Sequence, residues 1–267
     1  QEFDPMLEVI DKGQTSTKHP HPLLFVPGAF QGAWSWDVHF LDFFAERGFR
    51  VLALSLRGHG SSPADKPLRL CSISDFVDDV SSIASTLAPQ PIPIGHSMGG
   101  FVVQKYLETN DAPAGVLLAS APPRGHLRTL LRMMRRHPWR CSKFAVSGRP
   151  DHLLATTAGA RELFFGDKAS DDLISSTAAR LQPDSTRAIM MDMVALKLVR
   201  TDRITTPLLV LGGEQDATYR PSTVRTTARA YGTQAAIIPE IGHSMSVEPR
   251  WETVAERIVS WLSERGL

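Results

Sequence analysis

Gly95-His96-Ser97-Met98-Gly99 is the stretch that decides how the chain folds, because it matches the pattern G-x-S-x-G. A short apolar run, Ile92-Pro93-Ile94, precedes it, and a helix-forming stretch, 101–107, follows it. A strand, a five-residue turn and a helix in this order are typical of a nucleophile elbow, a strained turn that exposes a serine hydroxyl above a sheet. The sequence therefore predicts that Ser97 is a nucleophile.

The composition is that of a globular protein. The 267 residues, 42% of them hydrophobic, suffice for one large α/β domain or one domain with an insertion. The formal net charge is +1, so we expect no nucleic-acid partner. No apolar run reaches the ~18 residues that span a membrane, and no secretory signal is visible. We expect a cytoplasmic protein with two reduced thiols, Cys71 and Cys141, and no metal site.

Apolar runs alternate with helical patterns along the chain. The predicted strands are 23–26, 50–56, 91–94, 115–119, 208–211 and 235–238. Helices are predicted at 34–47, at 74–87 with Ser74 as N-cap, and at 255–262. No strand is assigned before residue 23. The alternation predicts an α/β fold with a mostly parallel central sheet and helices on both faces.

The alternation stops between Pro122 and Arg200, where helical patterns occur without a convincing strand. An insertion of this length between two strands of a sheet needs a structure of its own. The sequence therefore predicts a helical cap, or lid, over residues 122–200. Residues 1–121 and 201–267 then form the core.

Two later segments supply the partners that a serine nucleophile needs, a base to take its proton and an acid to orient that base. The strand 208–211 is followed by Asp216, and the strand 235–238 is followed by His243. Three correct residue types, in the order Ser, Asp, His and each after a different strand, are typical of a catalytic triad. We predict the triad Ser97, Asp216 and His243.

Both partners of the nucleophile have rivals. Glu214 comes sooner after its strand than Asp216, although a structural or solvated role fits it better. Among the nine histidines, only His243 follows a strand downstream of the acid. His96 lies inside the elbow, and its side chain should point away from the serine Oγ. His59, in a glycine-rich turn, is expected to brace a loop.

A tetrahedral intermediate carries an oxyanion that needs two fixed N–H donors. The backbone of Met98, directly after the nucleophile and at a helix N-terminus, is predicted to be one of them. The second should come from the loop after the strand 23–26, where Ala29 is the best candidate because Gly28 lets the chain turn inward. An ordinary glycine turn is the alternative for this loop.

On these motifs the chain resembles the α/β-hydrolase superfamily over nearly its full length, and within it the lidded serine esterases and lysophospholipase-like proteins. The matching pieces are 27–34, 56–62, 95–99, 212–216 and 242–245. The resemblance implies an eight-stranded sheet, a cofactor-free Ser-Asp-His mechanism and Ala29 as the second oxyanion donor. The chain departs from the pattern at Pro27, where most relatives have a histidine that braces the oxyanion loop.

The cap segment 124–149 holds eight arginines and lysines and no acid. Leu127, Leu130, Leu131 and Met134 recur in it at helical spacing, which predicts an amphipathic basic helix. One interpretation is a lid that makes weak contact with anionic lipid or an acidic substrate. The other is a helix whose apolar face covers the core and whose arginines are solvated.

Apolar residues near the site are candidates for a substrate pocket, since aromatic rings and flexible thioethers suit varied acyl or alkyl groups. The candidates are Phe30, Trp34, Met133, Met134, Phe164, Phe165 and Met190. Ordinary core packing is the alternative for each of them.

Together the motifs predict a serine hydrolase that cleaves carboxylic esters with an apolar acyl or alkyl group through an acyl-enzyme, without a cofactor. The expected partner is a small-molecule ester. Thioesterase, carbon–carbon bond hydrolase and lyase activities on the same triad stay open, as does a non-catalytic, ligand-binding member of the fold. The sequence does not determine the oligomeric state.

Overall fold

The computed structural model describes residues 6–154 and 156–267. A seven-stranded sheet runs through this part of the chain. Its strands are β1 (Val9–Lys12), β2 (Leu23–Val26), β3 (Val51–Leu54), β4 (Ile92–His96), β5 (Gly115–Leu118), β6 (Leu208–Gly213) and β7 (Ala235–Ile238). The strand order is β1-β3-β2-β4-β5-β6-β7, and every neighbouring pair is parallel except β1 with β3.

The predicted fold class, α/β with a mostly parallel sheet, is confirmed, and all six predicted strands are present. Strands β2 to β6 are fully buried, as expected of a parallel sheet covered on both faces. Strand β1 is an additional, antiparallel edge strand with three half-buried residues and one exposed residue, Asp11. The described residues thus form seven strands, where the resemblance implies eight.

Helices connect the strands. They are α1 (Trp34–Asp37), α2 (Phe40–Glu46), α3 (Ile73–Ala84), α4 (Met98–Leu107), α5 (Leu127–Arg136), α6 (Pro138–Ser147), α7 (Thr157–Phe164), α8 (Asp171–Ala178), α9 (Pro221–Ala230) and α10 (Trp251–Glu264). A π-helix spans Ala188–Leu196, and short 3₁₀ turns lie at Leu68–Leu70, Pro150–His152 and Thr201–Arg203.

The sheet separates two hydrophobic cores, because successive side chains of a strand point to opposite faces. In β2, Leu24 and Val26 belong to the core that α3, α4 and α9 cover. Leu23 and Phe25 belong to the core that α1, α2 and α10 cover. Both faces of the sheet are therefore covered by helices.

Two predicted helices differ from the structure. The helix expected over 34–47 is divided into α1 and α2, since His39 has a non-helical backbone with φ −144°. Helix α3 begins at Ile73, with Ser72 as its N-cap in place of Ser74. The Ser72 hydroxyl accepts the N–H of Asp75, and the Asp75 carboxylate accepts the N–H of Ser72, which completes a capping box.

The segment between β5 and β6 contains α5 to α8 and the π-helix, and its described residues, 122–154 and 156–200, include no strand. We propose that it is the cap. Cys71 and Cys141 are both buried and free. In residues 6–154 and 156–267, no helix combines the length and the apolar character needed to cross a membrane.

Candidate active site

Ser97 lies on a tight turn between the end of β4 and the start of α4. Its φ of +55° is in the left-handed region, which is strained for a residue with a side chain. The flanking glycines are required by close packing. A Cβ at Gly95 would collide with the backbone of Gly99, and a Cβ at Gly99 would collide with the backbone of Pro27. The turn thus has the geometry expected of a nucleophile elbow.

The structure brings Ser97, Asp216 and His243 together in one buried chain of hydrogen bonds. His243 Nε2 lies 2.9 Å from Ser97 Oγ, and His243 Nδ1 lies 2.8 Å from Asp216 Oδ2. An ionised carboxylate can only accept a hydrogen bond, so Nδ1 of His243 carries a hydrogen and donates it in the bond to Asp216. In the neutral imidazole Nε2 is then free to accept the Ser97 hydroxyl proton.

Asp216 is held in place by the loop that follows β6. Its Oδ1 accepts the N–H groups of Thr218 and Tyr219, at 2.8 and 3.0 Å. Glu214, the rival acid, is exposed and accepts the N–H of Glu240 at 3.0 Å. The structure therefore places Asp216, and not Glu214, against the histidine.

His243 is fixed from both sides by Glu248, a residue that the sequence analysis missed. The buried Glu248 carboxylate accepts the N–H groups of Gly242 and Ser244, both at 3.0 Å, and that of Gly166 at 2.7 Å. Burial raises the pKa of Glu248, while these three N–H groups oppose the increase. One carboxylate thus ties the histidine loop to the segment proposed as the cap.

His96 contacts the backbone of His243, and within the described residues it forms no hydrogen bond with the Ser97 hydroxyl. Its Nε2 donates to the backbone oxygen of His243 at 2.8 Å. Burial and the neighbouring His243 lower the pKa of His96 to about 3, so it is neutral at physiological pH. A second imidazolium beside His243 is thereby avoided.

Two backbone N–H groups are available near Ser97. Met98 is the first residue of α4, and Ala29 lies in the loop after β2, where it lines the same cavities as Ser97. Within the described residues, neither N–H donates a hydrogen bond to another part of the protein. These are the two predicted oxyanion donors.

The loop that carries Ala29 is braced by a carboxylate from the proposed cap. Phe30, with a strained φ of +67°, donates its N–H to Asp184 Oδ2 at 2.7 Å, and its carbonyl accepts the N–H of Gln182 at 3.0 Å. The same Asp184 oxygen lies 3.0 Å from Nε2 of the buried His59. Burial alone would lower the pKa of His59, but the charge of Asp184 outweighs it and raises that pKa.

Two cavities meet at Ser97. With the space at their open mouths included, the cavities have volumes of about 440 and 690 Å³. Ala29, Phe30 and Phe164 line both. Most of the surface of each cavity is apolar, although Gln31, Thr177 and Ser244 also line the smaller one. Leu154, Ala160, Phe165, Ala178 and Leu181 line the smaller cavity, and Leu130, Met133, Phe144, Ile189 and Met193 line the larger one.

All but one of the predicted pocket residues line these cavities, and Phe30 and Phe164 line both. Phe165 lines the smaller cavity, and Met133, Met134 and Met190 line the larger one. Trp34 lines neither cavity, contrary to expectation. Its ring lies under the guanidinium of Arg180, 4.2 Å from the ring centroid, a cation–π contact that holds it outside the site.

A polar link in the larger cavity was also missed from the sequence. His126 Nε2 donates to the carbonyl of Ile189 at 2.7 Å, so its Nδ1 accepts the Tyr219 hydroxyl at 2.8 Å. Tyr219 follows Asp216 closely, so this link joins the acid loop to the proposed cap. Across the described ranges, no group of three or more His, Cys, Asp or Glu side chains is placed to hold a metal ion.

Similar proteins agree with the fold. The chain is 31% identical over 118 residues to a non-heme chloroperoxidase of Burkholderia pyrrocinia, covering 40% of this chain and 39% of that one. It is 37% identical over 91 residues to a bifunctional esterase/perhydrolase of Acinetobacter calcoaceticus, covering 33% of this chain and 32% of the relative. The matches thus span about two fifths or less of these curated relatives.

A thermophilic esterase from Thermogutta terrifontis has the same fold, with a TM-score of 0.77 at 20% identity, covering 98% of this chain and 94% of the other. Residues 23–257 match the family described as the alpha/beta hydrolase family. This match extends over most of the sequence and includes the elbow, the acid loop and the histidine loop. The protein therefore belongs to the alpha/beta hydrolase family.

Proposed function

We propose that the protein is a serine hydrolase that cleaves carboxylic esters with an apolar acyl or alkyl group. One observation carries the proposal: the buried chain from Ser97 Oγ through His243 to Asp216, with spacings of 2.9 and 2.8 Å, lies where two apolar cavities meet. A hydroxyl becomes a useful nucleophile when a base is placed in this way.

The first half of the proposed reaction forms an acyl-enzyme. Ser97 Oγ attacks the ester carbonyl carbon while His243 Nε2 takes the hydroxyl proton, and Asp216 stabilises the imidazolium. The carbonyl oxygen becomes an oxyanion that accepts the N–H groups of Ala29 and Met98. When the carbon–oxygen bond to the alcohol breaks, His243 returns the proton to the leaving alkoxide.

The second half repeats the chemistry with water. His243 takes a proton from the water molecule, the hydroxide attacks the acyl carbon, and the Ser97 oxygen leaves with the proton that His243 returns. The carboxylic acid is released, and the enzyme is restored to its starting state.

The two cavities suit the two halves of an ester. An ester carbonyl bound at Ser97 has an acyl chain on one side and an alkoxy group on the other. Each half then has an apolar cavity available, and the larger one is lined by flexible methionines that adapt to different chains. This supports a substrate class of esters in which at least the acyl or the alkoxy group is apolar.

The names of the relatives support the same class of reaction. An esterase/perhydrolase and an esterase occur among them. The first name also makes perhydrolysis a second candidate, in which hydrogen peroxide replaces water and the acyl-enzyme is released as a peracid. Peracid formation from an ester and hydrogen peroxide would identify it.

A panel of p-nitrophenyl esters and acyl thioesters of graded chain length tests the proposal, run beside Ser97→Ala. We expect turnover of the esters, and complete loss of it in a Ser97→Ala protein that keeps the same fold by circular dichroism. Preferred turnover of the thioesters would indicate a thioesterase instead. A folded protein that turns over neither would favour a ligand-binding role.

A further inference from the structure

We propose that helices α5 and α6 form a surface that docks on an anionic lipid bilayer. We call this surface the basic face and define it as the exposed side chains of residues 124–149. It combines unpaired cations with exposed apolar side chains on two consecutive helices. Cations and apolar side chains on one surface are typical of helices that lie in the membrane interface.

The charge of the basic face is one-sided. Residues 124–149 hold eight arginines and lysines and no acid, although the whole chain has a net charge of only +1. Within the described residues, Arg136 pairs with Glu162 and Arg149 pairs with Asp151. The exposed cations of the segment that form no ion pair there are Arg124, Arg128, Arg135 and Lys143. Arg132 and Arg140 are half-buried, and Arg132 donates to the carbonyls of Ala217 and Thr218. An excess of free positive charge favours an anionic partner.

The apolar part of the basic face lies in the same helices. Trp139 and Val146, seven residues apart on α6, are 81% and 82% exposed. On α5, Leu127, Leu131 and Met134 recur at the spacing of one helix face, and each is about half exposed. Tryptophan has an apolar body and a polar N–H, and it prefers the interface between lipid and water.

Core packing does not account for Leu127 and Leu131, because α5 uses different residues toward the protein interior. Leu130 and Met133 line the larger cavity, and Thr129 is the buried residue of the helix. The alternative considered from the sequence, a helix whose apolar face only covers the core, would have buried Leu127 and Leu131. Instead they face solvent beside Arg128 and Arg135.

A bilayer matches both the cations and the apolar side chains of the basic face better than other anionic partners do. Lipid phosphates would accept the cations, and the acyl region below them would cover Trp139 and Val146. A nucleic acid would neutralise the cations and leave the aliphatic side chains exposed. The proposed partner is therefore a bilayer with a negative surface charge.

Docking would place the bilayer next to the candidate active site. Met134 belongs to the basic face, being 46% exposed, and it also lines the larger cavity. An ester dissolved in the membrane could therefore enter the cavity along α5. This last step rests on the proposed esterase function, whereas docking itself does not.

Vesicle flotation tests docking without any measurement of activity. We expect the full chain to float with vesicles of phosphatidylglycerol and phosphatidylcholine at about 50 mM salt, and binding to weaken at least about tenfold at about 500 mM salt. Binding to pure phosphatidylcholine should be weaker by a similar factor. Trp139 should insert, so tryptophan emission should shift to the blue in wild type but not in Trp139→Phe.

Charge-reversal variants assign the binding to this surface. Arg128→Glu combined with Arg135→Glu should weaken vesicle binding at least about tenfold, in proportion to the lost attraction for anionic lipid. Lys18→Glu combined with Arg257→Glu makes the same charge change outside the basic face and should bind as wild type does. The hydrolysis of a small water-soluble ester by the Arg128/Arg135 variant should remain normal.

Three results would overturn the proposal. They are equal binding to neutral and anionic vesicles, equal loss of binding in the two double variants, and absence of binding to any vesicle, with or without binding to RNA. If the protein instead self-associates without binding vesicles, the basic face is a contact between copies. Each of these outcomes can occur with or without esterase activity, so failure of docking is distinguishable from failure of the proposed function.

Discussion

At the scale of single residues, the reactivity proposed for Ser97 depends on the direction of two hydrogen bonds. Asp216 accepts from Nδ1 of His243, which leaves Nε2 to accept from the serine. Asn at position 216 could donate its amide hydrogens to Nδ1 and so stabilise the wrong tautomer. We expect Asp216→Asn to lower kcat for ester hydrolysis by about 10⁴ while the fold is kept. Steady-state kinetics with a thermal melt checks this, and a loss below tenfold would contradict the assignment of the acid.

The loop that carries Ala29 is braced by the Asp184 carboxylate. Pro27 replaces the histidine that the resemblance implies, and Asp184 holds the neighbouring Phe30 N–H from the opposite side. Asp184→Asn should loosen the loop and lower kcat at least about tenfold, approaching the about 10²–10³ that loss of an oxyanion donor costs. KM should change less than kcat, because most residues that line the two cavities lie outside this loop.

Asp151→Asn is the matched control for this variant. Asp151 is also a carboxylate of the proposed cap, but it is exposed, and among the described residues it forms an ion pair with Arg149 alone. Its kinetics should equal those of wild type. If both variants lower kcat alike, or if Asp184→Asn changes KM alone, Asp184 does not position the loop.

At the scale of helices and strands, α5 contributes to both the cavity and the protein surface. Met133 lines the larger cavity, whereas Met191 of the π-helix is exposed and lines neither cavity. Met133→Trp should fill part of the cavity. It should reduce kcat/KM for long-chain esters at least about tenfold more than for acetate esters, because each methylene that loses its place in an apolar pocket costs up to about 1–3 kcal/mol of transition-state binding. Met191→Trp should leave the chain-length profile unchanged. An unchanged profile in Met133→Trp would mean that the cavity does not hold the chain.

Helix boundaries show what a single sequence can and cannot predict. The elbow and the two loops after β6 and β7 were predictable because each combines an apolar strand with a short motif next to it. The N-cap of α3 was misplaced by two residues because Ser72 and Ser74 are both good N-caps. Only the reciprocal hydrogen bonds between Ser72 and Asp75 distinguish them.

Contacts between distant residues were the ones that sequence reasoning missed. Asp184 is 154 residues from Phe30, and Glu248 is 82 residues from Gly166. Neither carboxylate stands in a periodic or motif context, so the chain alone does not indicate that it is buried. Strand β1 was missed for a related reason, since its four residues, none of them fully buried, pair with β3, about 40 residues away.

At the scale of the whole molecule, the buried pair of His59 and Asp184 makes stability depend on pH. The folded state raises the pKa of His59 above its unfolded value of about 6.5. The folded state therefore binds the proton more tightly, and the resulting stabilisation is complete below pH 6.5 and lost as the pH rises through the folded pKa. The difference in unfolding free energy between wild type and His59→Gln should shrink as the pH rises from about 6 to about 9. Urea unfolding measures it, and a difference that grows or stays constant would contradict the charged pair.

The central claim concerns the whole site, namely that Ser97 is an activated nucleophile at the meeting point of two cavities. Labelling with a fluorophosphonate, followed by intact-mass and peptide analysis, tests this claim whatever the natural ester is. We predict one label per chain on Ser97, none on Ser97→Ala, and much slower labelling of His243→Ala. A folded wild-type protein that is not labelled, or a label that persists in Ser97→Ala, would contradict the account.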